Sequence, residues 1–175
     1  MFQIRFLMNI LLMLAIGIAS VEIPVSGEET EFALESETSN SLTGALKSGD
    51  LFLHNIDKDE GTFTSIQFQG YHQSNIIGSP ELPEIHKLIE IPQDAVPRIE
   101  IISKEVEYYS LSDYGIEDPV FPHQPSLSKS QTPDDVPFEW NEVLYQTDAY
   151  MEHELISIEI KGQLRSLRLA NLLIR

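Results

Sequence analysis

The chain of 175 residues has no cysteine. That absence excludes disulfides, thiolate metal sites and any cysteine nucleophile within these residues. An exported domain of this size folds without disulfides, so an oxidising destination stays open. Basic residues are also scarce: 11 Lys and Arg stand against 28 Asp and Glu, a formal charge of −17. Such a balance argues against nucleic acid, whose phosphates need a basic footprint, and against docking on anionic membranes. It favours solubility and can steer a basic partner. No serine lies between glycines in the nucleophile-elbow pattern, and no glycine-rich loop is present to cradle phosphate. Beyond the N-terminus, no apolar run approaches the roughly 20 residues that span a bilayer.

What is present begins with an export signal. Arg5 and the N-terminal amine precede an apolar run over residues 6–18, broken only by Asn9. Gly17-Ile18-Ala19 supplies small residues at the two positions a signal peptidase reads, which places cleavage after Ala19. A run of 13 residues is too short for a stable membrane anchor. Residues 1–19 are therefore read as a signal peptide, and the chain without them carries −18.

Residues 20–50 are rich in Glu, Ser and Thr, with too little apolar surface to offset ordering entropy. They read as a flexible acidic lead-in with a short helical turn over residues 42–46. Strand signals begin at Leu51: an apolar run to Ile56, turn residues 57–61, then alternation through Thr64, Ile66 and Phe68. Ile85, Ile89 and Ile91 share one strand face, with Leu88 on the other. Residues 98–109 form the longest strand candidate, with a parity flip that suggests a bulge. Residues 118–137 carry five prolines and read as a loop, since proline gives a ladder no donor. Ile156, Ile158 and Ile160, a tight turn at Gly162-Gln163, and Leu167 and Leu169 complete the pattern. Short strands punctuated by Pro and Gly predict an all-β fold, an antiparallel sandwich of jelly-roll type over residues 51–175. Because residues 167–175 end inside the most apolar strand, that domain reads as truncated.

No catalytic, cofactor-binding or metal-binding residue is assigned, and no cofactor is expected. His54, His72, His86, His123 and His153 form no two-histidine helical motif, and Glu152-His153-Glu154 sits at a loop-to-strand boundary. The acidic turn Asp57-Lys58-Asp59-Glu60-Gly61 lacks the ligand ladder and distal glutamate of a calcium loop. Trp140, Tyr145 and Tyr150 could form an aromatic binding platform or simply pack.

Gly78-Ser79-Pro80-Glu81-Leu82-Pro83, followed by Ile85-His86-Lys87-Leu88-Ile89-Glu90-Ile91-Pro92, is the most distinctive passage. Pro80 and Pro83 force an extended approach to a strand that Pro92 ends. This resembles the propeptide of gingipain-type cysteine peptidases of family C25. Residues 99–111, Gln124-Pro125-Ser126, the pair Tyr145 and Tyr150, and Lys161-Gly162-Gln163-Leu164-Arg165 follow in the order of that family. Met151 departs from it, standing where many relatives have proline. The resemblance implies a secreted, Bacteroidota-type precursor whose prodomain covers a downstream cysteine peptidase domain, keeps it latent and assists its folding. It also implies a basic residue near the processing junction that enters the specificity pocket; no position present can be matched to it, Arg175 included, and it is expected beyond Arg175. The catalytic His and Cys would lie downstream. A stand-alone extracellular module binding carbohydrate or protein, or an adhesion domain, is the alternative.

Overall fold

The computed structural model describes residues 20–25, 29–132, 135–147 and 154–175. The signal peptide expected at residues 1–19 lies outside them. Among the described residues nine strands run in chain order: β1 (Ser20–Ile23), β2 (Glu31–Glu37), β3 (Leu42–Lys47), β4 (Leu51–Lys58), β5 (Gly61–Phe68), β6 (His72–Gln73), β7 (Pro83–Ile91), β8 (Ile156–Leu164) and β9 (Leu167–Ile174). The helical elements described are one 3-10 turn, Leu111–Tyr114, and one turn of α1, Glu142–Tyr145. No helix among the described residues is long and apolar enough to cross a membrane. The strands form three antiparallel sheets, ordered β1-β4-β5, β2-β3 and β6-β7-β9-β8. An all-β antiparallel architecture is what the alternation predicted.

The β4–β5 hairpin follows directly from its sequence. Leu51 and Leu53 alternate onto the buried face, and Gly61, at φ 141°, closes the turn where a side chain would strain. Thr62 Oγ1 donates to Asp57 Oδ1 at 2.9 Å beside the hairpin's turn. The acidic turn is thus a hairpin turn. Ile23 of β1 pairs with Leu51, and together with Leu53 these three form a buried cluster. Tyr109, Leu111 and Ile116 pack onto it. Burying a side chain of this size contributes about 1.5–3 kcal/mol.

Four readings of the sequence are corrected. The acidic lead-in is not without structure: β1 joins the first sheet, and β2 and β3 make a hairpin. Its apolar residues are few but paired, Phe32 opposite Leu46 and Ala33 opposite Ala45. Thr38 Oγ1 accepts the amide hydrogens of Asn40 and Ser41, closing the turn with side-chain chemistry instead of Gly or Pro. Residues 42–46 are accordingly strand, not helix. The β8–β9 turn falls at Arg165-Ser166, with Arg165 at φ 56°, while Gly162 sits at a bulge in β8. The terminal strand β9 is central in its sheet, between β7 and β8. Residues 98–109, finally, form no strand.

The proline-rich loop joins the sheets by an unusual route. Pro119 and Pro122 donate nothing, yet residues 119–123 are held from both sides by their neighbours. Thr64 N donates to Pro119 O and Phe121 N to Thr64 O, while Glu81 N donates to Phe121 O and His123 N to Ser79 O. The non-proline residues supply the donors, and Pro119 serves as an acceptor. Gly78 lies at φ 75°, and a Cβ there would stand 3.3 Å from Asn141 N. Only glycine lets residues 140–141 pass so close.

Candidate functional site

The Gly78–Pro83 passage that stood out in the sequence is a crossing point. Ser74 is buried; its N–H donates to Leu82 O at 2.8 Å, its hydroxyl to Pro80 O at 3.2 Å, and it accepts from Leu82 N at 3.0 Å. The distinctive prolines are therefore locked by one serine that sequence reasoning passed over. Its signal, a lone Ser before a proline-rich turn, is too common to single out.

Above that crossing lies a set of rings. Phe63, 1% exposed, touches Phe121, Phe138 and Trp140 with centroids 5.2–5.6 Å away. Trp140 and Tyr145 lie 4.9 Å apart but tilted by 54°, and the Tyr145 hydroxyl donates to Val120 O at 2.6 Å. Rings so tilted and so engaged with their own domain pack it together; they do not offer a flat stacking platform. Tyr150 and His153 lie outside the described residues.

A shallow cleft of about 360 Å³ opens on one face of the four-stranded sheet. Glu84, 9% exposed at its side chain, forms its floor and accepts from Arg175 Nε at 2.9 Å. Asn171 Nδ2 lies 3.1 Å from His86 Nδ1, leaving His86 Nε2 to face Glu84 at 3.5 Å. His72 stacks obliquely on His86 at 6.1 Å. At the rim Lys161 pairs with Glu159 at 2.6 Å. His123 is likewise engaged, with Glu81 at 2.8 Å, and His54 faces Ser65 across β4 and β5. These charges answer one another, an arrangement suited to holding strands in register. Among the described residues no group of three His, Asp or Glu could hold a metal ion.

The feature that stands apart is residues 95–110. They contain no turn, bend, helix or strand. None of the backbone groups of residues 98–108 finds a hydrogen-bond partner among the described residues. Apolar side chains project from it: Val96 is 83% exposed, Ile102 78% and Tyr108 81%. Residues 98–108 are exposed throughout, and Lys104 is the basic residue at their middle. The segment thus combines strand propensity with no ladder among the described residues and with uncovered apolar groups.

Comparison with known proteins agrees with the sequence resemblance. Residues 28–175 match the family model Propeptide_C25. Lys-gingipain of Porphyromonas gingivalis is 32% identical over 155 residues, and the form from strain W83 matches to the same extent. These matches take in 89% of this chain but only 9% of each relative's length. Among solved structures, one bearing on the zymogenic latency of gingipain K from P. gingivalis superposes with a TM-score of 0.81 at 31% identity. It covers 89% of this chain and 85% of that one. The complex of the P. gingivalis RgpB pro- and mature domains shares the fold, with a TM-score of 0.66 at 16% identity over 82% of this chain and 71% of that one.

Proposed function

The chain belongs to the C25 propeptide family, and on that premise we propose that it is the N-terminal prodomain of an exported gingipain-like cysteine endopeptidase precursor. It keeps the peptidase latent by occlusion and assists its folding; residues 1–19 direct export and are removed. The fragment is not itself an enzyme, and its partner is the peptidase domain of the same precursor. The observation that carries this reading is the close superposition on the gingipain K chain, at 31% identity over most of both.

Residues 95–110 supply the contact. Peptide segments bind by adding extended backbone to a partner's hydrogen-bonding edge, so the segment must keep its own N–H and C=O groups free. Among the described residues, the backbone of residues 98–108 meets that condition. A basic residue that enters a specificity pocket must also stand clear of its own domain. Lys104 does, exposed between Glu100 and Glu105 with exposed apolar neighbours. Arg98 and Lys129 are exposed as well, but Lys104 alone stands at the middle of the segment, and it is assigned the pocket-filling role in place of a residue beyond Arg175. The tilt between Trp140 and Tyr145, and the bond of the Tyr145 hydroxyl to Val120 O, support this reading over that of a stand-alone carbohydrate-binding module.

The test adds the purified chain to a mature C25 peptidase from the same organism. The native chain is expected to inhibit fully at equimolar amounts, and Lys104→Ala to inhibit at least about tenfold more weakly with an unchanged melting temperature. Peptidase activity untouched by saturating native chain would sink the proposal. Equal inhibition by Lys104→Ala would remove Lys104 from the pocket.

A further inference from the structure

We infer that Arg168 is a positioning residue: its guanidinium fixes where, and in which direction, residues 95–110 leave the sheet. The inference rests on the reading of that segment as the peptidase contact. Arg168 lies on β9 opposite Ile91, the last residue of β7. Its Nη1 stands 3.1 Å from Pro92 O, 2.7 Å from Gln93 O and 2.8 Å from Ala95 O. Two hydrogens on one nitrogen serve three acceptors, which is possible only because the chain curls around it. The Ala95 N–H donates to Pro92 O at 3.1 Å and closes that curl. A second tie comes from Gln93 Nε2, which donates to Ser166 O in the β8–β9 turn at 2.7 Å.

The surrounding sequence makes the exit directional. Pro92 ends the β7 ladder for want of an N–H, and Pro97 restricts Val96 to extended backbone. Past that point nothing among the described residues holds the segment until Tyr109 and Leu111 reach the apolar cluster beneath the first sheet. One end is thus fixed by burial and the other by a guanidinium clasp. A charged donor strengthens each bond to a carbonyl, and the planar fork of arginine reaches carbonyls that a lysine's point charge would meet less well. A segment held at both ends binds with little ordering cost, whereas one released at its base must be ordered during association.

The test compares Arg168→Gln and Arg168→Lys with Leu172→Ala, a control on the same strand. For each full chain the inhibition constant against the mature peptidase, the melting midpoint and hydrogen exchange at the Ala95 amide are measured. Arg168→Gln is expected to raise the inhibition constant roughly tenfold, with the lysine variant intermediate. Ala95 should exchange faster in it while the β7 and β9 amides keep their native rates. Leu172→Ala should inhibit as the native chain does despite a lower midpoint. Should the glutamine variant fail to fold, the lysine variant carries the comparison. Native inhibition by the Arg168 variants, weakening no greater than in a control of equal midpoint, or native exchange at Ala95 would each overturn the inference. A native chain that does not inhibit would instead sink the proposed function, and Ala95 exchange would still decide the clasp.

Discussion

At Tyr145 one hydroxyl joins α1 to the proline-rich loop through its 2.6 Å bond to Val120 O. Burial, and then the negative charge of Glu81, pushes this phenol well above its ordinary value. The folded chain therefore favours the neutral ring, while the unfolded chain ionises near pH 10. The resulting stability is complete below pH 10 and is lost as pH rises toward the raised folded value. Tyr145→Phe is expected to lose about 1 kcal/mol at pH 7, because Val120 O is left without its donor. It should also lose less further stability than the native chain between pH 9 and 11. Urea midpoints at both ends of that range check the prediction, and equal alkaline losses in the two proteins would refute it. Sequence placed Tyr145 among interesting aromatics but not against Val120, since a contact spanning 25 positions has no local signature. The prolines at 119 and 122 are legible as ladder breakers; the service of Pro119 as an acceptor is not, because it depends on which strand lies alongside.

The elements that could be read in advance are those whose apolar period is two and whose partner is next in sequence. The β4–β5 hairpin and the face shared by Ile85, Ile89 and Ile91 are of this kind. β2 and β3 are hard to read from sequence because Glu and Ser fill the exposed end of β2 and a Thr38 side chain closes their turn. A glycine at a bulge and a glycine at a turn look alike in sequence, which is why the β8–β9 turn was placed at Gly162 instead of Arg165. Residues 98–109 have every local mark of a strand, but a strand exists only by pairing, and this chain gives them none among the described residues. The centrality of β9 makes a testable contrast with the edge strand β8. Ala170 is fully buried in a row between Ile89 and Ile160, so Ala170→Leu should overpack it and cost about 2 kcal/mol. Leu164, 61% exposed on β8, should tolerate Leu164→Ala within about 0.5 kcal/mol. Denaturant midpoints that rank the two the other way would contradict the strand order.

For the whole molecule the governing quantity is charge. At −17 the chain repels itself and most acidic neighbours, and two of its exposed elements concentrate the effect. Glu31, Glu35 and Glu37 line the β2–β3 hairpin, and Glu100, Glu105 and Glu107 flank Lys104 on residues 98–108. A partner that must be met rapidly after synthesis gains from steering if its facing surface is positive, and steering acts on encounter more than on residence. Salt shortens the reach of these charges from about 10 Å at 0.1 M to about 3 Å at 1 M. Association with the mature peptidase is therefore expected to slow by about tenfold or more between 20 mM and 500 mM salt, by the usual scale of steering. Dissociation should change far less over that range, because apolar side chains such as Ile102 and Tyr108 hold the complex once formed. Replacing Glu100, Glu105 and Glu107 together by Gln should remove part of the salt dependence while leaving the melting temperature near native, as the three are exposed. Stopped-flow rates across the salt series decide the matter: an association rate independent of salt would mean that the acidity serves solubility alone.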